Sequence, residues 1–290
     1  MDKNSKILVT GGAGFIGSNL CEYLYSSVGC QIWSLDNYST GSESNHIDNV
    51  TYLNGETSDI NEIIQFKPDY VFHFGEYSRV EQSFEDIEKV WKSNKGGIFE
   101  VLQFCLKHNT KLIYSGSSTK FGDNGKGKDQ SPYAWTKASN SDLVKNFGNW
   151  FDLNYAIVYF YNAYGYREIS EGKYATLIGL YKNNTINNIP LKVVLPGTQK
   201  RNFTHINDIT SALKTIAEKG CGDNYGIGSE DSYTVRQIAE MFGGEIKEIP
   251  ERQGNRMSAD VVSKKTKELG WYPRESIEEH IKEFKDQLNR

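Results

Sequence analysis

The sequence predicts an α/β fold in which a doubly wound parallel sheet carries a smaller α/β lobe. Three observations predict it. Short apolar runs alternate with helical stretches through the first half of the chain. A glycine-rich turn, Gly11-Gly12-Ala13-Gly14-Phe15-Ile16-Gly17, joins the first run to the first helix. After Gly165 the alternation breaks down. The division that follows is a sheet domain over 1–164 plus about 202–228, and a lobe over about 165–201 plus 229–290.

Ile7 to Val9 is an apolar run of the kind buried in a parallel sheet, and Phe15, Ile16, Leu20 and Leu24 then recur at helical spacing. Gln31 to Leu35 predicts the second strand, ending in Asp36, and Val50 to Leu53 the third. Asp59 stands as the N-cap of a helix through Ile63, Ile64 and Phe66, stopped by Pro68. Tyr70 to Phe74 is the fourth strand. One long helical stretch should follow from about Ser83 to His108. Lys111 to Ser115 and Tyr155 to Phe160 give the fifth and sixth strands, with a helix from about Pro132 to Phe147 between them. Beyond Gly165 the pattern predicts a helix near Thr176 to Asn184, a strand at Leu191 to Leu195 and a basic loop at Lys200-Arg201. A helix from Asn207 to Glu218, a strand at Asn224 to Ile227 and three short helices after Thr234 complete it. Ligands of such a sheet sit beyond the C-terminal ends of its strands.

Composition excludes several classes of function. Lys and Arg number 33 against 37 Asp and Glu, so no basic excess points to nucleic acid. Cys21, Cys30, Cys105 and Cys221 form no CxxC pair, so neither zinc nor a disulfide framework is signalled, and core thiols of a reducing compartment are expected. No run approaches the roughly 20 apolar residues of a membrane helix, and the start lacks a signal-peptide core. The expectation is a cytoplasmic protein with no membrane partner and no metal.

The glycine turn is the first chemical motif. A strand, a glycine turn and a helix are the parts of a dinucleotide site, because the backbone can approach a pyrophosphate and the helix N-terminus offers unpaired N–H groups. A tight strand–helix turn would look the same, but Asp36 ends the next strand where an acid binds ribose hydroxyls and repels a 2′-phosphate. The expected cofactor is therefore NAD. The second motif is Ser115-Gly116-Ser117-Ser118-Thr119 after the fifth strand, followed by Tyr133-Ala134-Trp135-Thr136-Lys137. Tyr133 and Lys137 are four apart and share one helix face. A phenol titrates near about 10; an adjacent ammonium and a cationic nicotinamide ring stabilise the phenolate and draw that value towards neutrality. Tyr133 could then remove a proton from an alcohol whose carbon gives up hydride, with Ser117 bonding the same oxygen and Lys137 also holding ribose hydroxyls. An amphipathic helix face would also show YxxxK; its position after a dinucleotide turn and a serine-rich strand end favours chemistry.

With these motifs the chain resembles the extended short-chain dehydrogenase/reductases, in the branch of nucleotide-sugar epimerases, dehydratases and dehydrogenases, over nearly its whole length. The resemblance implies a Rossmann-type cofactor domain. Gly11, Gly14 and Gly17, with Phe15 and Ile16 between them, fall on the GxxGxxG, and Ser117, Tyr133 and Lys137 on the catalytic set. Asp36 and Asn37 match the adenosine-ribose position, and Glu56-Thr57 fall where an Asp and an aliphatic residue flank adenine. Phe74-Gly75-Glu76 replace the usual apolar-Ala-Ala, and Asn94 matches an asparagine that orders the cofactor site. Ser115 and Phe160, at the ends of their strands, join the implied cofactor set. For the substrate, a nucleotide-diphosphate sugar, it implies Ser117, Ser118, Asn162 of Tyr161-Asn162-Ala163-Tyr164-Gly165, and Val193. Arg201 of Gln199–Asp208 would pair with phosphate, and Arg256 of Arg252-Gln253-Gly254-Asn255-Arg256 would form a second clamp. The two long helical stretches, Ser83–His108 and Pro132–Phe147, would form a four-helix homodimer interface, with a tetramer as the larger option.

The departures narrow the reaction. A 4,6-dehydratase of this resemblance has Asp-Glu directly after the catalytic Ser or Thr; Ser118 and Thr119 cannot serve as that acid–base pair. No Cys sits in a loop where the reductase/3,5-epimerase branch uses one. Removal of hydride at carbon four remains, ending in a released keto-sugar or in a 4-epimer. The loop from Gly122 to Tyr133 is short, and Tyr159 stands where an arginine is common. A non-catalytic NAD(H) sensor would not need the Ser117–Tyr133–Lys137 set, and a lipid or steroid alcohol gives no role to Arg201 and Arg256.

Overall fold

The computed structural model describes residues 1–252, 257–258 and 260–288. Seven parallel strands form the central sheet: β1 (Lys6–Thr10), β2 (Gln31–Asp36), β3 (Val50–Asn54), β4 (Tyr70–His73), β5 (Lys111–Ser117), β6 (Tyr155–Phe160) and, later in the chain, β11 (Gly222–Ile227). Their spatial order is β11-β6-β5-β4-β1-β2-β3, so the winding reverses between β1 and β4. That switch point is where a doubly wound sheet opens a crevice for ligands. The fold class read from the sequence is therefore the observed one.

Helices cover both faces. On one, Leu20, Cys21 and Leu24 of α1 (Phe15–Val28) meet Ile209, Leu213 and Ile216 of α7 (Ile206–Lys219) over Ile7, Val9 and Val158. On the other, Val101, Leu102 and Cys105 of α4 (Gly97–His108) and Val144 of α5 (Pro132–Phe151) pack over Leu8, Val71 and Ile157. Burial of these apolar side chains is the main stabilising term. A third cluster joins Ile178 and Tyr181 of α6 (Leu177–Ile186) to Leu191 and Val193 of β8 (Leu191–Val194). It also takes in Ile238 and Phe242 of α8 (Val235–Phe242) and Ile277 and Ile281 of the helix Ile277–Leu288. Short pairs frame it: β7 (Ala163–Tyr164) with β10 (Thr204–His205), β9 (Lys200–Asn202) with β12 (Ser232–Thr234), and β8 with β13 (Ile246–Ile249).

Four expectations are corrected. The helix capped by Asp59 is a single turn, α2 (Ile60–Ile63), and Asp59 makes no side-chain cap bond. The long stretch before His108 is not one regular helix. It comprises a 3₁₀ turn (Glu81–Phe84), the short α3 (Ile87–Val90), a π turn (Trp91–Gly96) and then α4. A π turn accommodates an extra residue, and here it carries the buried Asn94. Lys200-Arg201 is not a loop, because it pairs with Thr234 and Tyr233. Cys21, Cys30 and Cys105 are buried as expected, but Cys221 is exposed. The Leu269–Pro273 turn places Trp271 on α7, its indole N–H donating to Asp208 O and Ser211 Oγ, both at 3.1 Å.

Candidate active site

A cavity of about 580 Å³ opens beyond the C-terminal ends of β1, β4, β5 and β6 and runs towards the third cluster. Its first wall is the glycine turn. Gly11 lies at φ +74°, a conformation that favours glycine. At Gly17 a Cβ would stand 2.1 Å from Gly11 O, so only glycine lets helix and turn approach this closely. The first intrahelical bond runs from Ser18 N to Gly14 O at 3.0 Å, which leaves the first-turn amides of Phe15, Ile16 and Gly17 beyond the reach of that ladder. Asp36, buried at the end of β2, accepts from Ala13 N at 2.9 Å and Tyr38 N at 2.8 Å. Burial pushes its carboxyl up, against the pull of those two amides. These residues fit a dinucleotide: close backbone, N–H donors for a pyrophosphate and a carboxylate for ribose hydroxyls.

Gly11, Gly14, Phe15, Ile16, Gly17, Asp36 and Asn37 all line this end. Glu56 and Thr57 are not among the lining residues. Glu56 instead accepts from Asn37 Nδ2 at 3.0 Å, and the buried Thr57 packs under Gly75 and Gly97. Asn94 also lies behind the wall. Its Oδ1 accepts from Tyr77 N at 2.7 Å and its Nδ2 donates to Tyr77 O at 3.2 Å, which fixes the loop after β4.

The second wall brings the reactive side chains together. Ser115, Ser117 and Ser118 at the end of β5 and Tyr133 and Lys137 on α5 face the same cavity as Phe74, Gly75, Glu76 and Phe160. Ser131 caps α5, accepting from Ala134 N at 3.1 Å, and Pro132 occupies its first turn, so Tyr133 stands at a fixed helix start. Ser117 Oγ bonds Thr119 Oγ1 at 2.8 Å and accepts from Thr119 N at 3.3 Å, which makes Thr119 part of a hydrogen-bonded turn.

Glu76 forms a contact that spacing along the chain gave no means to see. Its carboxylate, 2% exposed, is paired with the Lys137 ammonium, 4% exposed. Tyr114 OH donates to it at 3.0 Å and Asn140 Nδ2 at 3.0 Å. Thr10 Oγ1 already accepts from Phe74 N and Gly75 N, so it donates to His73 Nδ1 at 2.7 Å and leaves His73 Nε2–H facing Glu76 at 3.7 Å. Burial opposes ionisation of Glu76, but Lys137 and His73 overcome it and hold the carboxyl down to about 2. Burial and Glu76 together push the Tyr114 phenol up. Lys137 also donates to Ser115 Oγ at 3.3 Å and lies 4.7 Å from the centre of the Tyr114 ring.

The far end is built from other elements. Asn162 and Arg201 line it; Asn162 Nδ2 donates to Asn202 O at 2.8 Å. Val193 is fully buried in the third cluster, and its neighbour Val194 faces the cavity, as the two-residue alternation of a strand requires. Arg256 lies outside the described residues. Tyr159 is buried under Phe121, with its hydroxyl donating to Asp223 at 2.7 Å, away from the cavity. Arg79 was missed as a lining residue, and Arg252, the first residue of the second clamp motif, lines the cavity too. Arg79 donates to the carbonyl oxygens of Tyr174 and Ser78, and Arg252 pairs with Glu81 at 2.7 Å across the mouth. Arg79 follows a strand that ends at His73, a position on the ligand side of the sheet that could have marked it.

The comparisons with known proteins agree with this architecture. A putative UDP-glucose 4-epimerase of Methanocaldococcus jannaschii is 28% identical over 95% of this chain and 96% of its own length. The low-salt glycan biosynthesis protein Agl12 of Haloferax volcanii is also 28% identical, over 95% of this chain and 96% of its own. Among solved structures, the UDP-glucose 4-epimerase of Thermotoga maritima with UDP-glucose superposes with a TM-score of 0.89 at 26% identity, covering 98% of this chain and 100% of that one. The sequence profile of the NAD dependent epimerase/dehydratase family matches residues 7–228. That span runs from the first strand of the sheet to its last and includes both walls built above, so the chain belongs to this NAD-dependent family.

Proposed function

We propose that the protein oxidises carbon four of a nucleotide-activated sugar, with a GDP-heptose as first candidate, in surface or capsular polysaccharide synthesis in the cytoplasm. As a whole the sequence is similar to the GDP-D-glycero-α-D-manno-heptose 4-dehydrogenases of bacterial capsule pathways. The observation that carries the reading is the convergence of Ser117, Tyr133 and Lys137 on one cavity that begins at a dinucleotide turn and ends at Arg201. NAD, when bound, supplies a hydride acceptor. Tyr133 takes the proton of the sugar hydroxyl, Ser117 bonds the same oxygen, and Lys137 orients ribose hydroxyls. Ser118 and Thr119 supply no carboxylate for elimination of water. In this reading the third hydrophobic cluster is the core of the substrate lobe. The nucleobase lies near Leu191–Val194 and the diphosphate faces Asn162 and Arg201.

The second reading is 4-epimerisation, favoured by the name and full-length match of the Methanocaldococcus jannaschii relative. Incubation with GDP-heptose, GDP-mannose and UDP-glucose separates the two. A released 4-keto product supports the first, and an epimer without net NADH supports the second. No turnover of any of the three with NAD bound would count against both readings and favour a non-catalytic sensor. We also infer a homodimer through the face bearing Trp91 and Trp135, which stack at 5.9 Å and are 54% and 44% exposed. Trp91→Lys should then sediment as a monomer, and an unchanged sedimentation coefficient would refute that interface.

A further inference from the structure

Lys137 is the cation that chemistry at Tyr133 is expected to use, yet it does not enter the cavity as a free charge. Glu76 pairs with it inside the protein, both side chains being all but inaccessible to solvent. The carboxylate is itself built in. Tyr114 from β5 and Asn140 from α5 donate to it, and His73 from β4 faces it. Asn140 is in turn held by Lys95 of the π turn, at 2.8 Å. Lys95 also faces Glu76, at longer range through Asn140, whereas Arg79 interacts with Tyr133. Structure alone would not need this. A buried ion pair is a weak source of stability, and an apolar pair of the same shape does as well or better.

We propose that Glu76 is a resident counter-charge that cancels the Lys137 charge at the wall of the cavity and so sets the relative affinity for oxidised and reduced NAD. The inference rests on the reading that Tyr133 and Lys137 face the nicotinamide. The oxidised ring carries a positive charge that the reduced ring lacks. An uncompensated Lys137 would repel the first and leave the second nearly untouched, whereas the Glu76–Lys137 pair presents no net charge. Because Glu76 is ionised throughout the neutral range, the compensation is permanent in the native protein. Glu76 acts through Lys137 and is a positioning residue, while Tyr133 and Lys137 meet cofactor and substrate.

The test is calorimetric titration of NAD and of NADH, separately, into the wild type, Glu76→Gln, Lys137→Met and the double variant. In Glu76→Gln the ratio Kd(NAD)/Kd(NADH) should rise roughly tenfold or more, the effect of one unscreened charge a few ångströms away. In the double variant, neutral again, the ratio should return to within about threefold of the wild type. In Lys137→Met the stranded carboxylate should push the ratio below the wild-type value at alkaline pH, and this preference should vanish as Glu76 takes up a proton. If Glu76→Gln does not fold, the Lys137→Met titration decides. Equal losses of NAD and NADH affinity in Glu76→Gln would show a merely structural carboxylate and overturn the proposal. So would a Lys137→Met ratio that stays flat from about pH 6 to about pH 10. Failure of the wild type to bind either form is a distinct outcome, and it would overturn the placement of the cofactor itself.

Discussion

Replacing Gly17 by alanine tests whether the glycine turn is built for a pyrophosphate or is only a tight connection. The added methyl would sit 2.1 Å from Gly11 O, 2.8 Å from Gly11 C and 2.8 Å from Gly12 Cα, all backbone atoms with no rotamer to retreat into. Ordinary contact starts at 3.4 Å, so helix and turn must separate by about 1.3 Å. That shift moves the Phe15–Gly17 amides relative to Asp36 across the ribose position. Losing one hydrogen bond to a charged pyrophosphate costs about 1.5–3 kcal/mol, so NAD affinity should fall by about 10- to 100-fold. Overpacking should cost stability as well, about 1–3 kcal/mol. Gly96→Ala is the control. Gly96 has a right-handed helical backbone and nothing within 4 Å of the new methyl, so helix propensity alone should stabilise it by about 0.5–1 kcal/mol. NAD titration and thermal unfolding of both variants decide. A Gly17→Ala protein that binds NAD within about threefold of the wild type would show that the close approach does not position the cofactor.

Two further outcomes follow from the same geometry. Tyr133→Phe removes a hydroxyl at the cavity wall while Lys137 keeps its partners, so turnover of the nucleotide sugar should drop by about 10²- to 10⁴-fold with NAD affinity nearly unchanged. Undiminished turnover would make the phenolate dispensable. His280 lies among Tyr164 and His205, with ring centres at 4.9 and 5.3 Å, and burial, then Lys182 and His205, lower it from 6.5 to about 4. Its folded-state value is depressed, so it binds its proton more readily unfolded. The corresponding stability is complete above about pH 6.5 and is lost as the pH falls towards about 4. The loss should be on the order of 1–2 kcal/mol after solvent screening. His280→Phe should flatten the fall in Tm between pH 7 and pH 5, and an identical fall in both proteins would exonerate His280.

How far the sequence could be read depended on whether the deciding interaction was local. The sheet strands were legible because a strand buried on both faces needs a continuous apolar run, as in Ile7–Val9 and Tyr155–Phe160. Tyr133 and Lys137 were legible because helix geometry alone sets four residues on one face. Lys200-Arg201 was not, since its extended form exists only against Ser232–Thr234, some thirty residues later. The choice between Val193 and Val194 likewise turns on a register with Ile246–Ile249 that no local pattern carries. Glu76 was visible as an oddity, an acid in place of a small residue. Its partner lies 61 positions away, and the chain between them gives no periodic signal linking the two.

The environment of Lys137 bears on more than its charge. An ammonium has three N–H donors; Glu76 and Ser115 take two, so one remains for the cavity. Its direction is therefore set before a ribose hydroxyl arrives, and little side-chain entropy is left to lose on binding. Arginine in its place would keep the positive charge but not this arrangement. A planar fork has to fit above the Tyr114 ring, where Nζ now lies 4.7 Å from the ring centre, in a site with 4% exposure. Lys137→Arg should thus lose about 1–3 kcal/mol of stability through overpacking and most of its turnover, even though Glu76 still has a cation to pair with. Thermal unfolding and product formation read the two effects separately. Wild-type values for both would mean that Lys137 serves only as a charge, and that the Ser115 and Tyr114 contacts contribute nothing to orienting it.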